Sequence, residues 1–263
     1  MEREYKDRLY SIGKELTVEA GKFIRESYEG KIEVKFKGRI DIVTDIDKKA
    51  ESIIVNGIKE NFPDHNIITE ETDFEQGDSD TRWIIDPLDG TTNFSHGFPF
   101  FCVSVGIEYK NEVIIGFVYD PLREEMFEAK KGESALLNGK RIKPSSIDNL
   151  EHSLLATGFP YDIKESENNN VDYFNHMIFK AQAVRRAGSA ALDLCYIACG
   201  RLDGYWEIKL SPWDTAAAGL IVKEAGGRIT DFDGRQASIL HKQIAATNGV
   251  IHEEMLRELG VKS

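Results

Sequence analysis

The chain has 263 residues, 41% of them apolar and 30% charged, which is enough for one large layered domain or two smaller parts sharing a core. Its net charge of −12 argues against nucleic acid as a ligand, since binding a phosphate backbone needs a basic surface. Any anionic substrate would meet repulsion here, and bound metal is the simplest remedy. Cys102, Cys195 and Cys199 are an odd set with no CxxC, and the six histidines form no close pairs, so neither a disulfide framework nor a zinc site is expected. The N-terminus lacks an apolar leader and no run reaches the length of a membrane span, so the expectation is a cytoplasmic protein with no membrane partner.

From Arg3 to Tyr28, Leu9, Ile12, Leu16, Ala20, Phe23 and Ile24 recur at spacings of three and four, which predicts an amphipathic helix stopped at Gly30. Ile32–Phe36 alternates apolar and charged residues and reads as a strand. Thr44 or Asp45 is a suitable N-cap for a helix over Lys48–Asn61, leaving Asp45 and Asp47 at or just before its first turn. Asn66–Thr69 reads as a short strand ending in Glu70 and Glu71, and a Gly- and Asp-rich loop follows over 72–81.

The stretch R-W-I-I-D-P-L-D-G-T-T-N-F, residues 82–94, organises the rest. Trp83, Ile84 and Ile85 form a buried strand that delivers Asp86 and Asp89. Pro87 stiffens the turn between them, and Gly90, Thr91 and Thr92 open a helix. Acids at a strand end beside such an entrance suit divalent cations and a phosphate together. If the two short strands are neighbours, Glu70 lies beside Asp86.

Strands are expected at Phe100–Glu108, Val113–Tyr119 and Glu125–Ala129, with a tight turn at Asn138-Gly139. Ser153–Thr157 begins a second group of elements. Glu165–Asn170 reads as an exposed loop, and Asp172–Ala183 as a helix. A further helix opens at Gly188-Ser189-Ala190-Ala191 and runs to about Cys199. Tyr205–Ile208 is a strand, and Trp213–Ala225 is an alanine-rich helix with Pro212 before it and Gly226-Gly227 after it. Strands at Arg228–Asp231 and Ile244–Thr247 and a helix over Glu253–Leu259 close the chain. Residues 1–263 read as one unit, with a metal-binding half at 1–150 and a half completing the active site at 151–263.

Taken singly, Asp214 complements a helix dipole, and Asp86 and Asp89 satisfy a turn. Taken together with Glu70 they read differently, because burying four carboxylates without cations is costly. An oxygen-rich set of this kind selects Mg²⁺ or Mn²⁺ over zinc. Paired ions about 3.5–4 Å apart can clamp the attacking and leaving oxygens of a phosphoryl group and make a nucleophile from water at neutral pH. The amides of Gly90, Thr91 and Thr92 can hold the non-bridging oxygens. Thr91 can position the attacking water, and Asp47 is a candidate to accept its proton.

D-P-L-D-G-T-T-N-F at 86–94, with W-D-T-A-A-A-G at 213–219, E-E at 70–71 and D-I-V-T-D-I-D at 41–47, resembles the inositol monophosphatase family. The stretch at 185–207 is most similar to bacterial and archaeal members. The resemblance implies a mixed α/β, five-layer α-β-α-β-α sandwich and a homodimer. It implies a magnesium-dependent, lithium-sensitive phosphomonoesterase using two or three Mg²⁺ ions, with Mn²⁺ as a substitute. Glu70, Asp86 and the Leu88 carbonyl would hold the first ion, Asp86, Asp89 and Asp214 the second, and a third would sit near Glu70. Asp47 and Thr91, with Glu70, would activate water. Asp89, Gly90, Thr91, Thr92, Gly188, Ser189, Ala190, Glu207 and Asp214 would line the phosphate and the sugar or cyclitol hydroxyls. Glu207 enters only by this route.

The leading expectation is hydrolysis of myo-inositol monophosphates. The alternatives are a fructose-1,6-bisphosphatase or dual-specificity sugar phosphatase, then a 3′-phosphoadenosine 5′-phosphate phosphatase, which the lack of an aromatic cluster for adenine disfavours. A non-catalytic regulatory protein is a further alternative, disfavoured because every expected acid is present. Arg185 and Arg186 read as a structural pair, the other reading being that one reaches a second phosphate.

Overall fold

A computed structural model of the chain describes residues 2–28, 30, 34–36, 42–72, 76–235 and 242–260, with backbone alone at 34–36 and 42–44. The start of the strand expected from Ile32 and part of the 72–81 loop lie outside these residues.

Helix α1 (Arg3–Tyr28) buries Leu9, Leu16, Ala20 and Ile24, the stripe that the spacing predicts. Strands β1 (Val34–Phe36) and β2 (Ile42–Thr44) pair antiparallel. Helix α2 (Asp45–Asn61) follows β2 directly and begins three residues before the expected Lys48, with Asp45 and Asp47 in its first turn. Next come β3 (Asn66–Thr69), β4 (Thr81–Asp89), the single-turn α3 (Thr91–Ser95), β5 (Cys102–Tyr109), β6 (Glu112–Asp120), β7 (Glu125–Lys130), β8 (Leu136–Leu137) and β9 (Lys140–Arg141). The second half holds β10 (Leu154–Thr157), α4 (Val171–Met177), β11 (Ala183–Arg185), α5 (Ala190–Ala198), β12 (Gly204–Ile208), α6 (Pro212–Ala225), β13 (Arg228–Thr230), β14 (Gln243–Thr247) and α7 (His252–Gly260).

A seven-stranded sheet runs β3-β4-β5-β6-β7-β8-β9, parallel only at β3–β4, and a five-stranded mixed sheet runs β11-β10-β12-β14-β13. Helices α1 and α2 cover one face of the large sheet through a core that includes Leu9, Ile54, Trp83 and Phe117. Helices α5 and α6 fill the space between the sheets around Leu192, Ile221 and Phe127. Helices α4 and α7 close the outer face of the small sheet around Trp206 and Met255. The order is the expected α-β-α-β-α sandwich. Among the described residues no helix is long and apolar enough to cross a membrane.

Two expectations need correction. The helix expected over Asp172–Ala183 ends at Met177, and Ala183–Arg185 is an edge strand parallel to β10. That pairing is non-local, and the stretch's own periodicity carries no sign of it. Nor is the end of the 165–170 loop exposed. Asn170 is buried at φ 71°, donates to the Thr157 hydroxyl at 2.9 Å and accepts from Trp206 Nε1 at 2.9 Å.

The close approach of α6 to the large sheet is written in small residues. Gly106 and Gly116 face each other across β5 and β6. A Cβ at Gly116 would lie 2.6 Å from the Ala217 carbonyl oxygen, and one at Gly106 would lie 3.0 Å from the Ala216 Cβ. Larger side chains at these positions would lift the helix and carry Asp214, in its first turn, away from β4.

Candidate active site

The acids converge for reasons of strand geometry. The parallel pairing sets Thr69 against Ile85, so Glu70 comes alongside Asp86. Residues three apart on a regular strand face opposite sides. Here three steps on β4, from Asp86 to Asp89, match two on β5, from Ser104 to Cys102, and this register shift changes the parity. Pro87, which has no amide to lose from the ladder, sits within the shift. Asp214 arrives from α6, whose first turn is tied to β5 by the Ser104 hydroxyl donating to the Trp213 carbonyl at 3.4 Å.

Each aspartate is fixed by a main-chain amide. Asp86 Oδ1 accepts from Leu88 N at 3.0 Å. Asp89 Oδ2 accepts from the Ser189 hydroxyl at 2.6 Å and from Ala191 N at 2.8 Å, at the start of α5. Asp214 Oδ2 accepts from Ser211 N at 2.6 Å. Behind Glu70, Glu51 Oε2 accepts from Glu71 N at 3.1 Å and pins the end of β3 to α2. No three His, Cys, Asp or Glu side chains among the described residues are drawn together tightly enough to form a finished metal cluster. The acids do feel one another strongly.

Burial pushes Glu70 up to about 8, with Glu71, Asp89 and Asp47 adding to the rise and a hydrogen bond with Asp86 opposing it. Burial drives Asp86 well above the usual carboxylate range, helped by Glu70, Asp89 and Asp214. Asp214 is raised in the same way by burial, then by Asp89 and Glu70, against the Ser211 amide. Asp89 is raised by burial, while the Ser189 hydroxyl and the Ala191 amide hold it down. Among the described residues no lysine or arginine forms an ion pair with Glu70, Asp86, Asp89 or Asp214. The set is all oxygen, with no thiolate or imidazole, and no ion pair among the described residues offsets its charge. That chemistry fits hard divalent cations.

A cleft of about 360 Å³ opens beside the acids. Its wall takes in Asp89, Gly90, Thr91, Thr92, Gly188, Ser189, Ala190, Glu207 and Asp214 from the expected set. Asp47, Glu70, Asp86 and Leu88 lie outside that wall. Asp47 is buried at the start of α2 within electrostatic reach of Glu70. Leu88 is buried, and its carbonyl accepts from the Thr91 hydroxyl at 2.9 Å. Gly90 has φ 99°, which only glycine adopts without strain, and a Cβ there would meet the Phe100 carbonyl at 3.0 Å. Asn93 bridges the halves of the chain, its Nδ2 donating to the Phe100 and Ala187 carbonyls at 2.7 and 2.8 Å. Glu207 is held by the Tyr205 hydroxyl, and burial pushes it up to about 7 against that bond and the Arg186 charge.

Tyr161, Arg186 and Asp193 are among the residues that face the cleft and that sequence reasoning did not place in the site. Tyr161 is exposed at the rim, yet its hydroxyl is raised by burial and by Glu70, Asp86 and Asp214 together. Arg185, by contrast, is an exposed strand residue. The sequence signal for Arg186 was its position two residues before Gly188. For Tyr161 and Asp193 there was none.

A larger groove of about 640 Å³ runs along α6 past Lys110, Lys131 and Lys223. The acids there are matched, Glu108 to Arg82, Glu112 to Lys131, and Glu224 to the Gly132 amide. Chemistry rather than volume selects the smaller cleft.

An oxygen-lined cleft beside acids drawn from distant points of the chain has the chemistry of sites that take a phosphate ester with divalent cations. Residues 6–261 match the model of the inositol monophosphatase family, and the chain belongs to that family. It is 43% identical over 243 residues to the Nus factor SuhB of Escherichia coli strain K12, covering 91% of each chain. It is 46% identical over 233 residues to an inositol-1-monophosphatase of Synechocystis, covering 88% of this chain and 81% of that one. The structure of inositol monophosphatase from Anabaena superposes with a TM-score of 0.89 at 39% identity, over 97% of this chain and 96% of that one. The IMPase of Thermotoga maritima does so at 0.85 and 39% identity, over 96% of each.

Proposed function

We propose that this cleft hydrolyses phosphate monoesters of small polyols, myo-inositol monophosphates foremost, in a reaction dependent on Mg²⁺. The observation that carries the reading is the group of four carboxylates, all raised by burial, with no ion-pair partner among the described residues. Glu70, Asp86 and the Leu88 carbonyl would hold one ion and Asp86, Asp89 and Asp214 a second, with a third and weaker ion near Glu70. Bound there, Mg²⁺ supplies Lewis acidity to the phosphoryl oxygens and lowers the pKa of water, and Mn²⁺ can stand in for it.

The chain's own residues orient and move protons. The Thr91 hydroxyl hydrogen is already committed to the Leu88 carbonyl, so its oxygen is free to accept a hydrogen bond from the attacking water. Asp47 and Glu70 are the acceptors for the proton that water loses. The amides of Gly90, Thr91 and Thr92 take non-bridging phosphate oxygens, and Gly188, Ser189 and Ala190 close the other side. Glu207 takes hydroxyls of the leaving alcohol. The halves 1–150 and 151–263 act as one unit in this reading, because Asp214, Ser189 and Glu207 come from the second. The protein works as a homodimer on a small phosphorylated polyol or sugar, with lithium as an inhibitor.

Arg186 supports a second reading. Its guanidinium has no ion-pair partner among the described residues and lies over Gly188, where a Cβ would come within 2.7 Å of it. A cation there suits a second anionic group, as in fructose 1,6-bisphosphate. The name of the Escherichia coli relative, a Nus factor, points to a regulatory role as a further alternative.

A panel of myo-inositol 1-phosphate, fructose 1,6-bisphosphate and 3′-phosphoadenosine 5′-phosphate, assayed by phosphate release with and without Mg²⁺, separates these readings. The expected result is the highest kcat/KM for the inositol ester. Preference for the bisphosphate favours the second reading, preference for the nucleotide overturns both, and no Mg²⁺-dependent release from any ester removes the enzymatic assignment.

A further inference from the structure

Asp193 is the acid this scheme leaves without a task. It lies four residues beyond Ser189 on α5, one helical turn along the same face, and is 2% exposed. The little surface it keeps opens into the cleft. Its carboxylate receives no hydrogen bond and no ion pair among the described residues.

Other buried acids are treated differently. Asp203 accepts from the Ser145 hydroxyl and, at 2.7 Å, from Leu154 N. Asp231 accepts from the amides of Asp233 and Arg235 at 3.0 and 2.8 Å. Asp120 accepts from two amides and the Arg123 guanidinium. A buried carboxylate without donors costs stability wherever nothing comes to meet it. Its neighbours supply no direct donor: Glu207 is engaged with Tyr205, and Arg186 is close enough to be felt but does not pair with it. Asp193 and Glu207 thus both present acceptors to the cleft, Asp193 within electrostatic reach of Glu207 and of Asp89.

We propose that Asp193 forms a polyol-reading subsite, its carboxylate accepting hydrogen bonds from hydroxyls of the substrate's alcohol portion. The inference rests on the phosphatase reading and sharpens its substrate class: esters of polyhydroxylated alcohols are selected, and esters of hydroxyl-free alcohols leave the carboxylate desolvated and unpaired. Sites built to bond a hydroxyl discriminate strongly against analogues that lack it.

The test compares wild type, Asp193→Asn and Asp193→Ala on myo-inositol 1-phosphate and phenyl phosphate with Mg²⁺. Asp193→Asn removes an uncompensated charge at constant shape, so it should fold, and the Mg²⁺-induced shift in Tm verifies an intact site. The expected result is a fall of at least about tenfold in the ratio of kcat/KM for the inositol ester to that for phenyl phosphate, carried mainly by KM. A ratio that stays the same, whether both activities hold or fall together, overturns the subsite alone. A wild type that turns over neither ester overturns the phosphatase reading, and the subsite with it.

Discussion

Two regions of this molecule hold buried acids that are handled in opposite ways. On β5, β6 and β7 each has a cation of its own. Glu108 takes two hydrogen bonds from Arg82 Nη2, at 2.6 and 2.8 Å. Glu128 takes one from Lys14 at 3.0 Å, and Asp120 is paired with Arg123 at 2.8 Å. In the cleft region, Asp86, Asp89 and Asp214 have main-chain amides and Glu70 has a hydrogen bond with Asp86, and among the described residues none of the four has an ion pair. The sheet acids are finished by folding, whereas on the proposed reading the cleft acids are finished by cations drawn from solution. On that reading a protein of net charge −12 would receive an anion through those cations.

The largest expected effect comes from breaking the cleft set. Asp86→Asn should lower phosphate release by at least about 100-fold, because Asp86 is the acid shared between the two proposed ions. The same change should raise the Tm of the metal-free protein, since it removes one of several repelling charges at constant shape. Activity and stability moving in opposite directions is the signature to look for in parallel assays of turnover and thermal unfolding. Full activity in Asp86→Asn would remove the distinction between the two regions.

Next in size is the pH dependence of the metal-free protein. Glu70 is pushed up to about 8 in the folded state, against 4.5 for the free group. Between those values the folded protein holds a proton that the unfolded chain has released, so stability falls as pH rises through the window. The drop is on the order of a few kcal/mol at most. Melting curves from pH 5 to 8 in a chelator should show it, and Glu70→Gln should flatten it. Saturating Mg²⁺ should reverse the trend, because the ionised acids are then the bound form. A Tm that climbs with pH in the chelator would contradict the picture.

Legibility followed the range of the interactions. Helix α1, with its Leu9–Leu16–Ala20–Ile24 stripe, and strand β3 could be read to the residue because each declares itself within its own span. The nearness of Glu70 and Asp86 was readable because parallel neighbours ending in acids leave little choice. Strand β11 was not, since Ala183–Arg185 becomes a strand only by lying against β10. Asn170 was hidden for the same reason: its partners, Thr157 and Trp206, sit 13 and 36 residues away. That no cation among the described residues pairs with the cleft acids is a fact about what surrounds them in space. Asp193, apolar-flanked on a helix, gave no hint that its carboxylate meets a cleft.

The smallest of the three effects belongs to the matched region and acts as its control. Arg82→Ala leaves Glu108 buried with its guanidinium partner gone. Breaking such a pair from one side destabilises by about 3 kcal/mol or somewhat less here, because Arg82 keeps part of its surface in water. Metal binding should be untouched, since Arg82 and Glu108 lie at the end of the β4–β5 pair away from Asp86. The expectation is therefore a lower Tm with the Mg²⁺-induced increment preserved, the reverse of Asp86→Asn, where the baseline rises and the increment disappears. If Arg82→Ala instead abolished the increment, the two regions would be one coupled network, and the division between acids matched by the protein and acids matched from solution would have to be redrawn.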